Sequence, residues 1–137
     1  MTNKINLTSK YNLKTKILED PIYLNKVLVI VGNRYDLQKY LDENYTKEEW
    51  HWDVTKYNGS YLGLQDRMLW LWIEDSANWY VLVHECIHLV LDIYKRAKVN
   101  TNIALDQEPF AYYHGYWIRT IWEYLEEINE EDNGQSN

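Results

Sequence analysis

The segment from Ala77 to Lys98 constrains the fold most, because its apolar residues recur at intervals of three and four. These residues are Trp79, Leu82, Val83, Cys86, Ile87, Val90, Ile93, Tyr94 and Ala97. The spacing predicts one long amphipathic helix with an N-cap at Asp75 or Ser76. A helix of this kind needs a second layer of structure to cover its apolar face.

Short segments with strand character precede this helix. Tyr23–Val31 is rich in β-branched residues and ends at a Gly-Asn pair, which predicts a buried strand. The sequences HWDVTKY and SYLGL flank Asn58-Gly59 and predict a β-hairpin with a tight turn. Arg67–Glu74 is apolar on both alternating faces, so this third strand is either covered on both sides or borders a cleft.

Two further helices complete the pattern. Asp36 is a candidate N-cap for a short helix over Leu37–Asn44. After a loop over Val99–Gln107, the chain has helical character from Glu108 to Glu127, and Pro109 suits a first helical turn. The order strand, helix, hairpin, strand, helix, helix predicts an α+β fold.

The length of 137 residues is that of one domain. We expect this domain over residues 21–128. Residues 1–20 are predicted to form a loose N-terminal arm or an edge segment, and residues 129–137 an acidic, disordered tail.

Composition excludes several classes of partner. The net charge of −7 argues against a nucleic-acid partner, which would require neutralised phosphates. The chain has no apolar run of about eighteen residues, so no membrane partner is expected. A polar N-terminus without a signal-peptide core and a single cysteine together predict a cytoplasmic protein.

The predicted long helix contains the motif His84-Glu85-Cys86-Ile87-His88, which has the form HExxH. Residues four apart lie on one helical face, about 6 Å from each other, so both imidazoles could ligate one Zn²⁺. Glu85 would then lie beside the metal and take a proton from a zinc-activated water. The alternative is a polar stripe on an amphipathic helix.

A zinc site of this type needs a third protein ligand. Glu108, at the start of the next helix, is the leading candidate, although it could instead complement the helix dipole. His114, Asp106 and Asp92 are the other candidates. Asp92 could also orient one of the imidazoles, or it could be a solvated charge.

Amide hydrolysis also needs a donor for the developing oxyanion. Tyr112, one turn after Glu108, and His114 are the two candidates, and core packing is the alternative for the tyrosine. Cys86 is predicted to be a small core residue, because it points toward the apolar side of its helix.

These motifs resemble the zincin metallopeptidases, and within them the gluzincins. In that branch HExxH is followed, on a later helix, by a glutamate in a Glu-x-x-Ala setting, which Glu108–Ala111 matches. The sequence HECIH with the later DQEPFAYYHGYWIR is also similar to small phage-encoded metallopeptidases with HECxH and D-E-P-x-A-Y segments, with one inserted residue here. The resemblance covers about residues 67–125.

The resemblance implies a minimal zincin-like domain: a small twisted sheet packed on the HExxH helix and on a second, ligand-bearing helix. Zn²⁺ would be held by His84, His88 and Glu108, with Glu85 as general base. Arg67–Glu74 would be the edge strand beside the cleft, pairing with a peptide or protein substrate. Only a short tail follows the second predicted helix, so we do not expect the C-terminal subdomain with which larger gluzincins complete the cleft.

Three functions are therefore compared. The first is a zinc-dependent hydrolase, a small metallopeptidase. The second is a phage-type protein-binding or counter-defence module on a zincin scaffold, with a structural metal, a host protein as partner and the host cytoplasm as its location. The third is a protein with an apolar-lined pocket and no metal.

Overall fold

The computed structural model describes residues 8–50, 53–75, 78–99 and 107–135. It confirms the α+β class. The elements in chain order are helix α1 (Thr8–Tyr11), strands β1 (Lys14–Glu19) and β2 (Lys26–Val31), helix α2 (Arg34–Asn44), a 3-10 turn (Val54–Lys56), strands β3 (Gly59–Gln65) and β4 (Met68–Ile73), and helices α3 (Trp79–Arg96) and α4 (Gln107–Gln135).

The four strands form one sheet in the order β1-β2-β4-β3. β2 and β4 run parallel in the middle, and each pairs with an antiparallel outer strand. The residues of β4, the predicted strand Arg67–Glu74, are buried in two separate cores on its two faces. The strand is therefore covered on both sides, which is one of the two alternatives. Its expected position at the sheet edge is wrong, because β3 is the edge strand on that side.

Alternating residues of the two central strands contribute to separate cores, since successive side chains point to opposite faces. One face, which includes Val29 and Leu71, packs against α3 and α4. The other face, which includes Ile30 and Trp72, packs against α2 and Trp50. Both faces of β4 are apolar because each is covered by a helical layer.

The hairpin predicted around Asn58-Gly59 is not formed. Val54–Lys56 is a 3-10 turn whose N-cap is the Asp53 side chain. β3 instead pairs forward with β4 across a turn at Asp66-Arg67, where φ is 53° and 67°. These left-handed values fit the twist of a tight hairpin, although neither residue is glycine.

Helices α2 and α3 begin at different residues from those expected. Asn33, not Asp36, caps α2, with its side chain accepting from the Tyr35 amide. Asn78, not Asp75, caps α3 and accepts from the Val81 amide. Ser76, the other candidate cap, lies outside the described residues.

Both predicted terminal segments contain regular structure. Of the two expectations for residues 1–20, the edge segment is found, since Lys14–Glu19 pairs with β2. The predicted disorder of the acidic tail is wrong as far as Gln135, because α4 continues through it. Lysines of β1 form ion pairs with acidic residues of α4, Lys14 with Asp132 in this extension at 2.7 Å and Lys16 with Glu127 just before it at 3.3 Å.

The strand predicted over Tyr23–Val31 begins three residues late, at Lys26. The fully buried side chain of Asp20 accepts hydrogen bonds from the backbone amides of Ile22 and Tyr23 and so holds the chain in a turn before the strand.

In the described part of the chain, the helices all fall short of the length and apolar character that crossing a bilayer requires.

Candidate functional site

Helix α3 presents the two histidines of the HExxH motif side by side. The ring centroids of His84 and His88 are 5.2 Å apart, with the ring planes at 66°. The His84 side chain is 62% exposed, whereas Cys86 and Leu89 on the opposite face are fully buried. The helical period therefore places the imidazole pair on the outer side of α3, as the spacing predicted.

The separation of the rings fits a shared zinc ion. A Zn–N bond of about 2.1 Å, with the ring centroid about 1.1 Å behind the nitrogen, puts such an ion about 3.2 Å from each centroid. Centroids 5.2 Å apart then subtend about 110° at the ion, which is close to the tetrahedral angle that zinc prefers. By this test the pair suits two of four ligand positions.

Glu85 lies between α3 and the edge strand. Its Oε1 accepts a hydrogen bond of 2.7 Å from the Tyr61 amide of β3, and its Oε2 lies 3.7 Å from His84 Nε2. The Glu85 side chain is 12% exposed. One carboxyl oxygen is thus fixed by backbone, while the other faces the imidazole.

The side chain of Tyr61 makes a second link between β3 and α3. Its hydroxyl donates to Asp92 Oδ2 at 2.5 Å, and Arg96 Nε donates to the same oxygen at 3.1 Å. Burial, and then this hydrogen bond, raise the pKa of Tyr61 well above its usual range. Asp92 is therefore a partner of Tyr61 and Arg96, a role that none of the three sequence-based alternatives included.

The motif opens onto a cleft of about 800 Å³. His84, Glu85 and His88 form one wall, the start of β3 at Gly59–Tyr61 forms the floor, and residues around the 3-10 turn form the other wall. The residues contributed by that other wall are Asp53, Val54, Lys56 and Tyr57. A cleft of this volume beside an edge strand has room for a short peptide segment.

Arg34 fixes the wall formed by the 3-10 turn. Its Nη1 donates to the Thr55 carbonyl at 3.2 Å, while its Nε and Nη2 both bond the Glu74 carboxylate at the end of β4. Hydrogen bonds from Arg34 are the main reason that the pKa of Glu74 is lowered from its usual range. The cleft wall is thus tied to the central strand through a forked arginine contact.

Glu108, the leading third-ligand candidate, is exposed in the first turn of α4. The face of α4 that packs inward contains Tyr113 and Trp117, both buried. Glu108 lies nine residues before Trp117, about 180° around the helix. The packing of α4 therefore turns Glu108 to the outside.

No three His, Cys, Asp or Glu side chains of the described residues come close enough together to hold a metal ion. The structure thus brings together His84, His88 and Glu85 but does not add Glu108 to them. Asp106, another candidate ligand, lies outside the described residues.

The two candidate oxyanion donors lie away from the cleft walls. Tyr112 is 75% exposed on the same outer side of α4 as Glu108. His114 stacks on Phe110 and places its Nε2 3.4 Å from the Val83 carbonyl, in the contact between α3 and α4. Neither is among the residues that line the cleft.

Cys86 is confirmed as a core residue, since its side chain is fully buried. Burial, with a smaller effect of neighbouring Glu85, raises the pKa of the thiol to about 12. A buried thiol with that pKa is protonated at neutral pH.

Sequence reasoning missed Tyr61 and Arg34, which position the site. The bond to Glu85 uses a backbone N–H, which has no sequence signature. Asp53 was detectable, because Asp-x-Thr is a local capping pattern and its side chain accepts from Thr55.

Comparisons of this chain with protein-family models, with curated proteins and with solved structures find no match.

Proposed function

We propose that this protein is a zinc-dependent hydrolase, a small cytoplasmic metallopeptidase in which Glu85 is the general base. The observation that carries the proposal is the geometry of one helical turn. Two exposed imidazoles, 5.2 Å apart, lie at a cleft beside a carboxylate that is held by backbone. The zincin-like sequence motif supports the same proposal.

His84 and His88 would hold the metal, which when bound supplies a water of lowered pKa. Glu85 takes a proton from the attacking water on Oε2, because Oε1 is already engaged by the Tyr61 amide. The same carboxyl then donates the proton to the leaving amine. The Tyr61 hydrogen bond keeps the carboxyl from rotating between these two steps.

The remaining residues of the proposal come from the sequence. Glu108 is proposed as the third ligand, and Tyr112 or His114 as the oxyanion donor. Since Glu108 and Tyr112 lie on the outer side of α4, variants of these residues test whether the working site uses them. If both are dispensable for zinc uptake and turnover, those two assignments are wrong while the role of Glu85 is unaffected.

The central experiment compares Glu85→Gln with Glu85→Ala. Glutamine keeps an oxygen that can accept from the Tyr61 amide, so we expect zinc content and melting temperature close to those of wild type. Loss of the base should lower peptide hydrolysis by about 10²- to 10⁴-fold. Alanine leaves the Tyr61 amide without its acceptor, which costs a further 1–3 kcal/mol or so of stability.

The assay is cleavage of a mixed peptide library by the zinc-loaded protein, with zinc content measured by elemental analysis. His88→Ala is the control that should lose the metal. Hydrolysis that is undiminished in Glu85→Gln would refute the proposed mechanism. Protein that takes up no zinc would refute the proposal as a whole.

One observation favours a second candidate, a protein-binding module with a structural metal and a host protein as partner. The turn Asp20–Asn25 exposes Ile22 (66%) and Leu24 (68%) at its tip. Leu24 has a φ of 57°, a conformation that costs a leucine about 1–2 kcal/mol. Strained, rigid apolar residues held at a surface are typical of preorganised contacts.

Chelation separates the two candidates. A binding module should melt at lower temperature after removal of zinc and should cleave no peptide in the library. A hydrolase should lose cleavage on chelation and recover it when zinc is restored.

A further inference from the structure

The outer side of α3 combines metal ligands with exposed apolar residues. Tyr80, His84, Ile87 and Leu91 follow one another at spacings of four, three and four, which places them on one helical face. Tyr80 is 70% exposed, Ile87 39% and Leu91 41%. His88 lies beside them, and we call these five residues the α3 outer face.

The ligand count of this face is incomplete for a closed metal site. A structural zinc ion takes four protein ligands, whereas the described residues of one chain bring two imidazoles together. Two imidazoles occupy two of the four positions of a tetrahedral zinc ion, so two positions remain for other ligands. The same pair from a second copy, related by a two-fold axis, would complete the set.

We infer that the α3 outer face is a zinc-dependent contact between two copies of this chain. His84 and His88 of each copy supply the four imidazoles, and the apolar side chains of the two faces cover the ion. A two-fold contact fits because one surface, carrying both donors and apolar cover, is complementary to itself. The apolar residues flank the histidines, so water is excluded around the ion.

The charge of the chain explains why the contact needs the metal. Each copy has a net charge of −7, so two copies repel each other at low ionic strength. A dication between four neutral imidazoles adds positive charge at the contact and offsets part of this repulsion. We therefore expect salt to strengthen the dimer, because it screens the repulsion while the buried ion is screened less.

The dimer regulates the same site, a consequence that rests on the proposed function. Four imidazoles leave no ligand position for a water, and the partner copy covers the mouth of the cleft at His84 and His88. The dimer is then an inactive form and the monomer the hydrolase.

The experiment measures the mass of the full chain by light scattering during gel filtration, as zinc chloride is titrated and then removed with EDTA. Zinc in each peak is measured by elemental analysis. We expect the mass to double from 16.7 kDa, with one zinc per two chains, and to return after EDTA.

Two matched variants locate the contact. Leu91→Glu puts a charge into the proposed interface and should weaken zinc-dependent dimerisation by on the order of tenfold or more. Leu64→Glu is the control, since Leu64 is 47% exposed but lies on β3, and it should dimerise like wild type. His88→Ala should not dimerise at any zinc concentration.

Each other outcome overturns the inference. A single-chain mass with one zinc bound per chain refutes the dimer and leaves the hydrolase proposal intact. A dimer that persists in EDTA, or that Leu64→Glu abolishes as strongly as Leu91→Glu, refutes the metal bridge or its location. Masses above two chains refute the two-fold arrangement, and failure to take up zinc refutes both proposals.

Discussion

The buried carboxyl group of Asp20 should contribute several kcal/mol to stability, and a double-mutant cycle can measure its main contact. Asp20 is 0% exposed and accepts hydrogen bonds from the amides of Ile22 (2.9 Å) and Tyr23. Its Oδ2 also accepts from the hydroxyl of Tyr113 at 2.8 Å, which ties the turn to α4. The pair is therefore a long-range contact between the sheet and the last helix.

The expected magnitudes follow from the groups that each change leaves unpaired. Tyr113→Phe removes one donor and should cost about 1–2 kcal/mol. Asp20→Ala removes the acceptor for the turn amides, which should cost about 1 kcal/mol of stability. It also leaves the buried Tyr113 hydroxyl without a hydrogen-bond partner, which should cost about 1–3 kcal/mol more. A loss of about 3 kcal/mol corresponds to a fall of about 10 °C in melting temperature for a domain of this size.

In the double variant neither the unpaired hydroxyl nor the broken hydrogen bond remains, so its cost should be smaller than the sum of the single costs by about 2–5 kcal/mol. Unfolding in urea, followed by the fluorescence of the seven tryptophans, measures all four proteins. A coupling energy below about 0.5 kcal/mol would show that the two groups act independently and would refute this reasoning.

Three other regions offer direct tests. Because Arg34 lowers the pKa of Glu74, the stabilisation that this ion pair contributes is present above about pH 4.3 and is lost as the pH falls through the folded-state pKa. The urea midpoints of wild type and Glu74→Gln should therefore differ at pH 7 and approach each other as the pH is lowered below about 4.3. The Cys86 thiol, with its pKa raised to about 12, should not react with a disulfide reagent at pH 8 until urea unfolds the chain. Gly59→Ala places a Cβ against Val81 Cγ1 and 3.1 Å from the Trp72 carbonyl, so it should cost about 1–3 kcal/mol in thermal melting, partly recovered with Val81→Ala.

Much of the fold was predictable where one local pattern dominates. The spacing of apolar residues in α3 predicted the helix, and the four-residue interval predicted that His84 and His88 share one of its faces. The strand at Arg67–Glu74 was predicted from its alternating residues, and its two apolar faces left open whether it is covered on both sides or borders a cleft. The Asn58-Gly59 hairpin was wrong because a strong local turn signal competed with pairing between β3 and β4, which sequence patterns alone do not rank.

The candidate site was predictable only within one helix. Relations inside α3 follow from its regular period, so the proximity of His84 to His88 required no tertiary information. The position of Glu108 depends on how α4 is rotated against α3, which Tyr113 and Trp117 decide by burying the opposite face. The contact between Glu85 and Tyr61 depends on the placement of a backbone amide and could not be predicted from side-chain identity.

The sheet consists of two local hairpins, β1 with β2 and β3 with β4, joined along a parallel seam between β2 and β4. Each hairpin closes a short loop, whereas the seam joins residues as distant as Val27 and Leu69. Loop-closure entropy therefore favours early formation of the hairpins, and their docking should limit the folding rate. Amide exchange should accordingly be slowest along this seam, where opening requires the two halves of the molecule to separate.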